Sequence, residues 1–270
     1  MSVSATRSQR ERGFSQSLER GLALLSAFTS TRPLIGVSDL AREVGLSRSS
    51  AHRYIATLAA LGYLEQDRPT RKYRLGPRVL DLGFSAINSM ELRQISAPHL
   101  QQLSDETGRT VNMAILDGVD IVYIDRCRTS QQGQREIDLD LHVGSRLPAY
   151  CTSMGKVLLA FLPVDERTAL IDRVQFADRG PNTISTRSAL AAELERVRDR
   201  GVGVNNEELA YGLRSIAVPV WGSGGKVVAA INVAVHRSAG SIEELADRLS
   251  PSLRHAAAEI SARLGYRPGA

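Results

Sequence analysis

The segment at residues 40–58, LAREVGLSRSSAHRYIATL, decides the fold of the N-terminal quarter of the chain. Apolar residues recur at helical spacing on both sides of Gly45, which predicts two short helices joined by a tight turn. Glycine suits the C-terminal end of the first helix, and Ser47 suits the N-cap of the second. Ala41 is small where the helices must approach closely. The segment therefore predicts a helix-turn-helix.

The second predicted helix has a polar, basic face. Acidic residues are absent between Glu43 and Glu65, so nothing on this helix repels a phosphate backbone. A turn-rich stretch at residues 67–70 lies between two short β-like stretches and predicts a basic hairpin, the wing. The alternative is a helical hairpin with a solvated basic face. We expect base or phosphate contacts with double-stranded operator DNA from Ser47, Arg48, Ser49, His52, Arg53, Thr57, Arg68, Arg71 and Lys72.

The segments around this motif complete the predicted N-terminal organisation. Leu18, Leu22, Leu25 and Phe28 recur at helical spacing and predict an amphipathic helix. Ser38 is the expected N-cap of the helix that ends at Gly45. An apolar helix is predicted over about 76–91, and it needs a partner surface. The domain assignment is a mobile basic arm at 1–14, a winged helix-turn-helix at 15–76, a linker helix at 77–92 and an effector domain at 93–265.

Composition and charge agree with this division. The 270 residues suffice for about two domains, and 43% hydrophobic with 23% charged residues is an ordinary globular composition. Residues 1–74 carry a net charge of +6, whereas the rest of the chain carries −1. This asymmetry is typical of a polyanion-binding module attached to a neutral domain. A basic solvated tail is the alternative.

The same counts indicate a compartment. The sequence has no run of about 18 apolar residues that would cross a membrane, and its N-terminus does not resemble a secretory signal. It has only two cysteines, Cys127 and Cys151, and a chain of this length can bury its own core without disulfides. We therefore expect a cytoplasmic protein that has no membrane partner.

The C-terminal part mixes helical and strand patterns, which implies an α+β sheet and not a doubly wound one. Strands are expected at 110–116, 121–127, 136–143, 213–221 and 227–235. Helices are expected at 95–107, 152–161, 165–173, 188–201 and 241–264. The strand at 136–143 is expected because Leu139 and Leu141 alternate with Asp140 and His142.

The loop at 144–150 leads into an apolar helix that Thr152 or Ser153 would cap. Free N–H groups at the start of such a helix favour an anion. A carboxylate with an aromatic or aliphatic body would fit there, with Leu147 and Tyr150 as apolar walls. An ordinary capped core helix explains the same residues.

Several motifs, taken in order, resemble the IclR family of bacterial transcription regulators. The resemblance covers about residues 15–265 and implies a GAF-like C-terminal effector domain, a linker helix, and a homodimer or dimer of dimers. The motifs are SLERGLALL at 17–25, LAREVGLS at 40–47, YRLG at 73–76, SMGKVLLA at 153–160 and GLRSIA at 212–217.

Residues 144–155, GSRLPAYCTSMG, are similar to the family branch that controls protocatechuate, 4-hydroxybenzoate and β-ketoadipate metabolism. The resemblance also implies that the positions of Asn205 and Ser215 belong to the effector pocket, where some members carry an acidic residue and a cysteine. Two neutral groups here suit a carboxylate, hydroxyl or keto oxygen, or else satisfy local backbone groups. The expected contacts to a small aromatic or dicarboxylic acid are Leu147, Tyr150, Thr152, Ser153, Met154, Asn205 and Ser215.

Three other interpretations fit parts of the sequence. Cys151 precedes a helix, where a thiolate would be stabilised, and His142 lies nine residues upstream, so a Cys-dependent enzyme is one alternative. The C-terminal domain can instead serve only for oligomerisation, or sense another small carboxylate. Gly155-Lys156 lacks the remaining residues of a phosphate loop, and the histidines and cysteines lack zinc spacing. We therefore expect no metal or nucleotide cofactor and no catalytic residues.

Overall fold

The computed structural model describes residues 14–29, 31–128 and 139–267. The chain divides into two compact units, Met1–Ser89 and Met90–Ala270. The boundary falls inside the predicted linker helix. The arm predicted at 1–14 lies outside the described residues except for Phe14, and so do residues 136–138 of one predicted strand.

The N-terminal unit is a winged helix-turn-helix, as predicted. Its described elements are α1 Gln16–Ser26, α2 Val37–Glu43, α3 Arg48–Ala60, β1 Leu64–Gln66, β2 Tyr73–Leu75 and α4 Arg78–Asn88. The two strands pair antiparallel, with Leu64 opposite Leu75. One apolar core joins α1, α2, α3 and the hairpin, and its fully buried members include Leu24, Leu40, Ala51 and Ile55.

The turn between α2 and α3 follows from its residues. Gly45 adopts the left-handed conformation, with φ of 64°, and Leu46 N donates to Ala41 O at 2.8 Å. These features satisfy carbonyls at the end of α2. Ser47 Oγ accepts from Ser50 N at 3.2 Å and caps α3. The turn between the two helices thus depends on a glycine that ends α2 and on a serine that caps α3.

Two details of this unit differ from expectation. Helix α2 begins after Gly36, not after Ser38, because Gly36 O already accepts from Asp39 N and Leu40 N. In α1 the buried face carries Leu24, and Phe28 is buried just beyond the end of the helix, whereas Leu18 and Leu22 are exposed. Leucines occupy more than one face of α1, and the core takes the face on which residues 24, 25 and 28 lie together.

The C-terminal unit is a six-stranded antiparallel sheet in the order β5-β4-β3-β8-β7-β6, which confirms the α+β class. Helices α5 and α9 pack on one face, and α6 and α8 lie in the apolar core of the other face. The described elements are α5 Glu91–Thr107, β3 Val111–Asp117, β4 Asp120–Cys127, β5 Arg146–Pro148, α6 Ser153–Ala160, α7 Val164–Arg173, α8 Arg187–Arg200, β6 Gly203–Asn206, β7 Leu213–Trp221, β8 Val227–His236 and α9 Ile242–Arg263.

The predicted strand at 136–143 is wrong for its described part. Residues 139–143 form no strand, and Asp140 has a positive φ of 50°, which interrupts an extended backbone. The edge strand is instead β5, inside the predicted loop, and Pro148 pairs opposite Asp120 of β4. Leu139 and Leu141 still pack against the core from this loop.

Among the described helices, none has the length and apolar character needed to cross a membrane.

Candidate functional sites

Helix α3 exposes one continuous polar face. Ala51 and Ile55 point into the core, so the side chains on the opposite face reach solvent. The exposed members are Arg48, Ser49, His52, Arg53 and Thr57. In the described part of the chain, neither Arg48 nor Arg53 forms an ion pair, whereas Arg32 on the same unit pairs with Glu43 at 2.7 Å. The positive charge of α3 is therefore available to an external anion.

The wing adds a second basic surface. Arg68, Arg71 and Lys72 are exposed around the tip of the hairpin. Asp67 shapes this tip, because its carboxylate accepts from Thr70 N at 3.0 Å and from the Thr70 hydroxyl. These hydrogen bonds lower the pKa of Asp67, and the ionised carboxylate is the acceptor that stabilises the turn. The wing keeps its excess of basic side chains.

Some of the predicted DNA contacts also have structural duties. The Ser47 hydroxyl caps α3, and Thr57 Oγ1 donates to Arg53 O at 3.0 Å. Ala56, which sequence reasoning missed, is exposed three residues after Arg53 and four after His52, so it adjoins both on the helix surface. A methyl group there suits the methyl group of thymine. Nothing about an alanine in the sequence would mark such a contact.

The C-terminal unit holds a pocket on the sheet face that also carries α6. Its volume is about 560 Å³ out to the open mouth. The pocket is narrow and mixes apolar walls with polar side chains. Its lining comprises Thr110, Asn112, Tyr123, Arg126, Leu139, Leu141, Thr152, Asn205, Leu209, Leu213, Ser215, Asn232, Ala234 and Val235.

A chain of hydrogen bonds crosses the floor of this pocket. Arg126 Nη1 donates to Asn112 Oδ1 at 3.1 Å, and Asn112 Nδ2 donates to Asn232 Oδ1 at 2.8 Å. Asn232 Nδ2 lies 3.4 Å from Ser153 Oγ, which lies 2.7 Å from Ser215 Oγ. Strand register explains the order, since Asn112 is opposite both Arg126 and Asn232.

Asn205 stands at the other end of the lining and is 1% exposed. Its Oδ1 accepts from Glu208 N at 2.9 Å, so Nδ2 is left as a donor. Glu208 is itself buried and accepts from Lys156 Nζ at 2.6 Å, while Glu193 lies 3.5 Å from the same ammonium. Burial raises the pKa of Glu208, and the Lys156 charge opposes that rise. This buried ion pair holds the segment that positions Asn205.

The predicted effector residues do not all meet in this pocket. Thr152, Asn205 and Ser215 line it, but Leu147, Tyr150, Ser153 and Met154 do not. Tyr150 is a core residue whose hydroxyl donates to Ala177 O at 2.9 Å, and Ser153 lies behind Ser215. Thr152 Oγ1 accepts from Gly155 N at 3.2 Å, so the start of α6 is capped.

Sequence reasoning missed Asn112, Arg126 and Asn232. The signal that could have found the two asparagines is a polar residue in the middle of an otherwise apolar strand, as in Val111-Asn112-Met113 and Ile231-Asn232-Val233. A buried amide in such a strand needs polar partners on the same face. The predicted strands did not reveal which of them are neighbours in the sheet, and so did not identify the polar partners of these asparagines.

Cys151 does not have the environment of a nucleophile. Burial raises the pKa of its thiol to about 12, opposite to the stabilised thiolate expected before a helix. Its Sγ is 3.8 Å from Pro148 O, and His142 is exposed. The thiol therefore stays protonated at neutral pH and serves as a core group.

Comparison with known proteins defines the class of this chain. The IclR helix-turn-helix domain matches residues 17–68, and the C-terminal domain of the bacterial transcriptional regulator IclR matches residues 84–262. These domains define a two-domain, DNA-binding transcription regulator. The chain belongs to the IclR family, as the sequence motifs predicted, and it is a regulator and not an enzyme.

Three similar proteins are regulators or IclR homologs, and the names of two of them include a hydroxybenzoate. The Pca regulon regulatory protein of Pseudomonas putida is 38% identical over 251 residues, 93% of this chain and 84% of that protein. The p-hydroxybenzoate hydroxylase transcriptional activator of Acinetobacter baylyi is 34% identical over 90% of this chain and 89% of that protein. An IclR homolog from Microbacterium hydrocarbonoxydans, solved in complex with 4-hydroxybenzoate, is 26% identical, with a TM-score of 0.77 over 93% of this chain and 99% of that chain.

Proposed function

We propose that this regulator is a cytoplasmic protein that controls aromatic-acid catabolism genes of the β-ketoadipate type in response to a small carboxylate. The observation that carries the proposal is the pocket of the C-terminal unit, where hydrogen-bond donors lie among apolar side chains. Such a lining suits a ring or short chain that bears oxygen atoms. The names of the Pseudomonas and Acinetobacter relatives and the ligand of the Microbacterium structure support the same class of ligand.

The proposed DNA contact places α3 in a major groove and the wing beside the phosphates. The proposed contacts remain those from sequence, with Ala56 added. The proposed domains keep the predicted bounds, 15–76 for the winged helix, 77–92 for the linker and 93–265 for the effector domain, but the helix of the linker ends at Asn88 and α5 begins at Glu91.

Self-association would present two copies of α3 to a roughly palindromic operator. Large apolar side chains are exposed on α1 and α4, and such residues favour a protein partner. They are Leu18, Leu22, Leu80, Leu82 and Phe84. We propose that a homodimer, or a dimer of dimers, covers them. The ligand then acts by binding one arrangement of the winged helices more tightly than another.

A thermal-shift screen of the purified protein tests the ligand. The panel is protocatechuate, 4-hydroxybenzoate, β-ketoadipate, benzoate, pyruvate and phenylacetate. A ligand at 100 times its Kd stabilises the folded protein by about 2.7 kcal/mol. We expect a stabilisation of this size with protocatechuate, 4-hydroxybenzoate or β-ketoadipate. A Ser215→Leu variant fills the pocket and should lose the shift while keeping operator affinity.

The other outcomes contradict specific parts of the proposal. A shift with pyruvate alone would replace the aromatic effector by another small carboxylate. No shift with any acid would favour a C-terminal domain that serves only for assembly, and would leave DNA binding by the winged helix in place.

A further inference from the structure

We propose that the Tyr123 hydroxyl donates a hydrogen bond to the carboxylate of an aromatic-acid effector, and that this contact makes the pocket select the acid over its neutral amide. This inference rests on the proposed effector function. It places the carboxylate of the ligand at β4. Asn205 lines the same pocket from β6, and β3, β8 and β7 lie between the two strands.

A β-bulge determines where Tyr123 points. Tyr123 lies opposite Ala114 of β3. The adjacent residue of β3, Met113, lies opposite Asp125, so Ile124 is the extra residue of the bulge. Tyr123 packs in the apolar core that includes α6, whereas Ile124 packs in the core that includes α5 and α9. Tyr123 therefore lies on the pocket face at the point where β4 loses its regular alternation.

The same bulge keeps an acidic side chain out of the pocket. In a regular strand, residue 125 would follow residue 123 on the same face of the sheet. Here the Asp125 carboxylate lies 3.8 Å from Arg93 Nε of α5, on the other face. Of the described side chains that line the pocket, none is acidic. A ligand carboxylate beside Tyr123 is therefore not repelled by a carboxylate of the lining.

The Tyr123 hydroxyl lacks a hydrogen-bond partner in the described part of the chain, although the residue is 4% exposed and lines the pocket. Tyr150 is buried in the same core, but its hydroxyl donates to Ala177 O at 2.9 Å and accepts from Ala177 N at 3.0 Å. A buried hydroxyl without a partner destabilises the folded protein. An oxygen atom of a ligand in the pocket would supply the missing partner.

The protonation state of Tyr123 suits an anionic ligand. Burial raises the pKa of its phenol to about 12, so the hydroxyl keeps its proton at neutral pH and can donate it. An ionised carboxylate can only accept hydrogen bonds. A hydrogen bond to a charged acceptor is roughly twice as strong as one to a neutral acceptor. Tyr123 therefore favours an acid over the neutral amide of the same shape.

The Asn205 side of the lining is less suited to a carboxylate. Asn205 Oδ1 accepts from Glu208 N at 2.9 Å, so an acidic residue adjoins this side. Glu208 is buried, and its Oε2 has no hydrogen-bond partner among the described residues. A ligand carboxylate placed beside the carboxylate of Glu208 would be repelled. The amide of Asn205 instead suits a hydroxyl or keto oxygen of the ligand.

Isothermal titration calorimetry of the full chain tests the inference with 4-hydroxybenzoate and 4-hydroxybenzamide, and displacement measures the weaker ligand. The two probes share the ring hydroxyl and differ in charge. Tyr123→Phe should weaken binding of the acid by about 10-fold or more and binding of the amide by about threefold or less. The unliganded variant should be at least as stable to urea as the wild type, because the substitution removes a hydroxyl that has no partner.

Tyr266→Phe is the matched control. It removes the same atom from the C-terminal unit, but Tyr266 stacks on Trp221 and does not line this pocket. The control should keep the wild-type preference for the acid over the amide. A preference that falls as far in Tyr266→Phe as in Tyr123→Phe would show a general effect of losing a tyrosine hydroxyl, and would overturn the inference.

The remaining outcomes separate this inference from the effector function. If Tyr123→Phe weakens both probes equally, or weakens neither, its hydroxyl does not bind the carboxylate, and the inference is overturned while the effector function stands. A wild type that binds neither probe would also overturn it. The effector function fails as well only if every other acid of the panel leaves the thermal stability of the protein unchanged.

Discussion

The basic face of α3 and the interior of the C-terminal unit hold cations in opposite settings. Arg48 and Arg53 are exposed on one short helix, and neither forms an ion pair among the described residues. Lys156 is 1% exposed and is held by Glu208 at 2.6 Å. The first setting attracts an anion from a distance, whereas the second requires a partner to offset the loss of hydration.

This difference in burial predicts how each site responds to salt. Salt ions screen exposed charges over about 10 Å at 0.1 M but reach buried pairs poorly. DNA binding should therefore depend strongly on salt concentration and only weakly on substitutions of buried residues. Effector binding and the stability of the C-terminal unit should depend on individual buried partners.

The largest expected effect is that of salt on the exposed site. If a dimer contacts about 6–10 phosphates, raising salt from 50 to 200 mM weakens DNA binding by about 10³–10⁵-fold. Effector affinity should change far less over the same range. Operator binding measured by fluorescence anisotropy, with calorimetry of the effector in the same buffers, checks both. A flat salt response of DNA binding would contradict a basic-face reader.

The next effect compares a buried ion pair, at 2.6 Å, with an exposed ion pair of nearly the same length. Lys156→Met leaves the buried Glu208 without its partner, so we expect a loss of about 3–5 kcal/mol at pH 7. Arg32→Met removes the exposed Arg32–Glu43 pair at 2.7 Å and should cost less than about 1 kcal/mol. Trp221, the single tryptophan, reports urea unfolding of the C-terminal unit by fluorescence. Circular dichroism follows the helices of both units, so the part of its change that the fluorescence does not share reports the N-terminal unit.

The pH dependence of the Lys156→Met variant sharpens this prediction. The pKa of Glu208 is already raised by burial, and losing the cation raises it further. A carboxyl whose pKa is higher in the folded state than in the unfolded state makes stability fall as pH rises. The loss should be smaller at pH 5.5 than at pH 8, and Lys156→Met/Glu208→Gln should recover much of it. A loss that does not depend on pH would point to altered packing.

The two sites also differ in how far the sequence predicted them. The proposed DNA contacts of α3 and its N-cap, from Ser47 to Thr57, lie within eleven positions, and a glycine, a cap and a helical period suffice to place them on one surface. Local rules therefore predicted the turn, α3 and the wing. They did not predict which leucines of α1 face the core, because that depends on packing against α3 and not on spacing alone.

The pocket was predicted only in part, because it is assembled across strands. Arg126, Asn205 and Asn232 come from β4, β6 and β8, and strand order brings them together. Order and register depend on contacts between residues far apart in the chain, which periodicity does not reveal. Tyr150 and Met154 were predicted because they lie near the start of a helix, but they belong to the core. The asparagines in apolar strands were a better indication of which residues line the pocket.

A smaller effect is expected from a single cation of α3. Arg53→Ala should weaken operator binding by about 1–3 kcal/mol, because it removes a base or phosphate contact. Effector affinity should not change, since Arg53 belongs to the other unit. Arg198→Ala, an exposed arginine of the C-terminal unit, loses the same charge and controls for a general charge effect. Equal affinity of the two variants in a mobility shift would remove Arg53 from the DNA surface.

The smallest effect separates stability from binding at one residue of the wing. Arg71 has a positive φ of 61°, a conformation that costs a non-glycine residue about 1 kcal/mol. Arg71→Gly should therefore leave the N-terminal unit equally stable or up to about 1 kcal/mol more stable, while the salt slope of DNA binding falls by about one. Arg68→Gly removes the same charge from the wing without relieving a left-handed backbone, so it should lower the slope with no gain in stability. If Arg71→Gly changes the stability of the N-terminal unit but not the salt slope of DNA binding, Arg71 does not contact phosphates. The positive φ of Arg71 would then have no explanation in DNA binding.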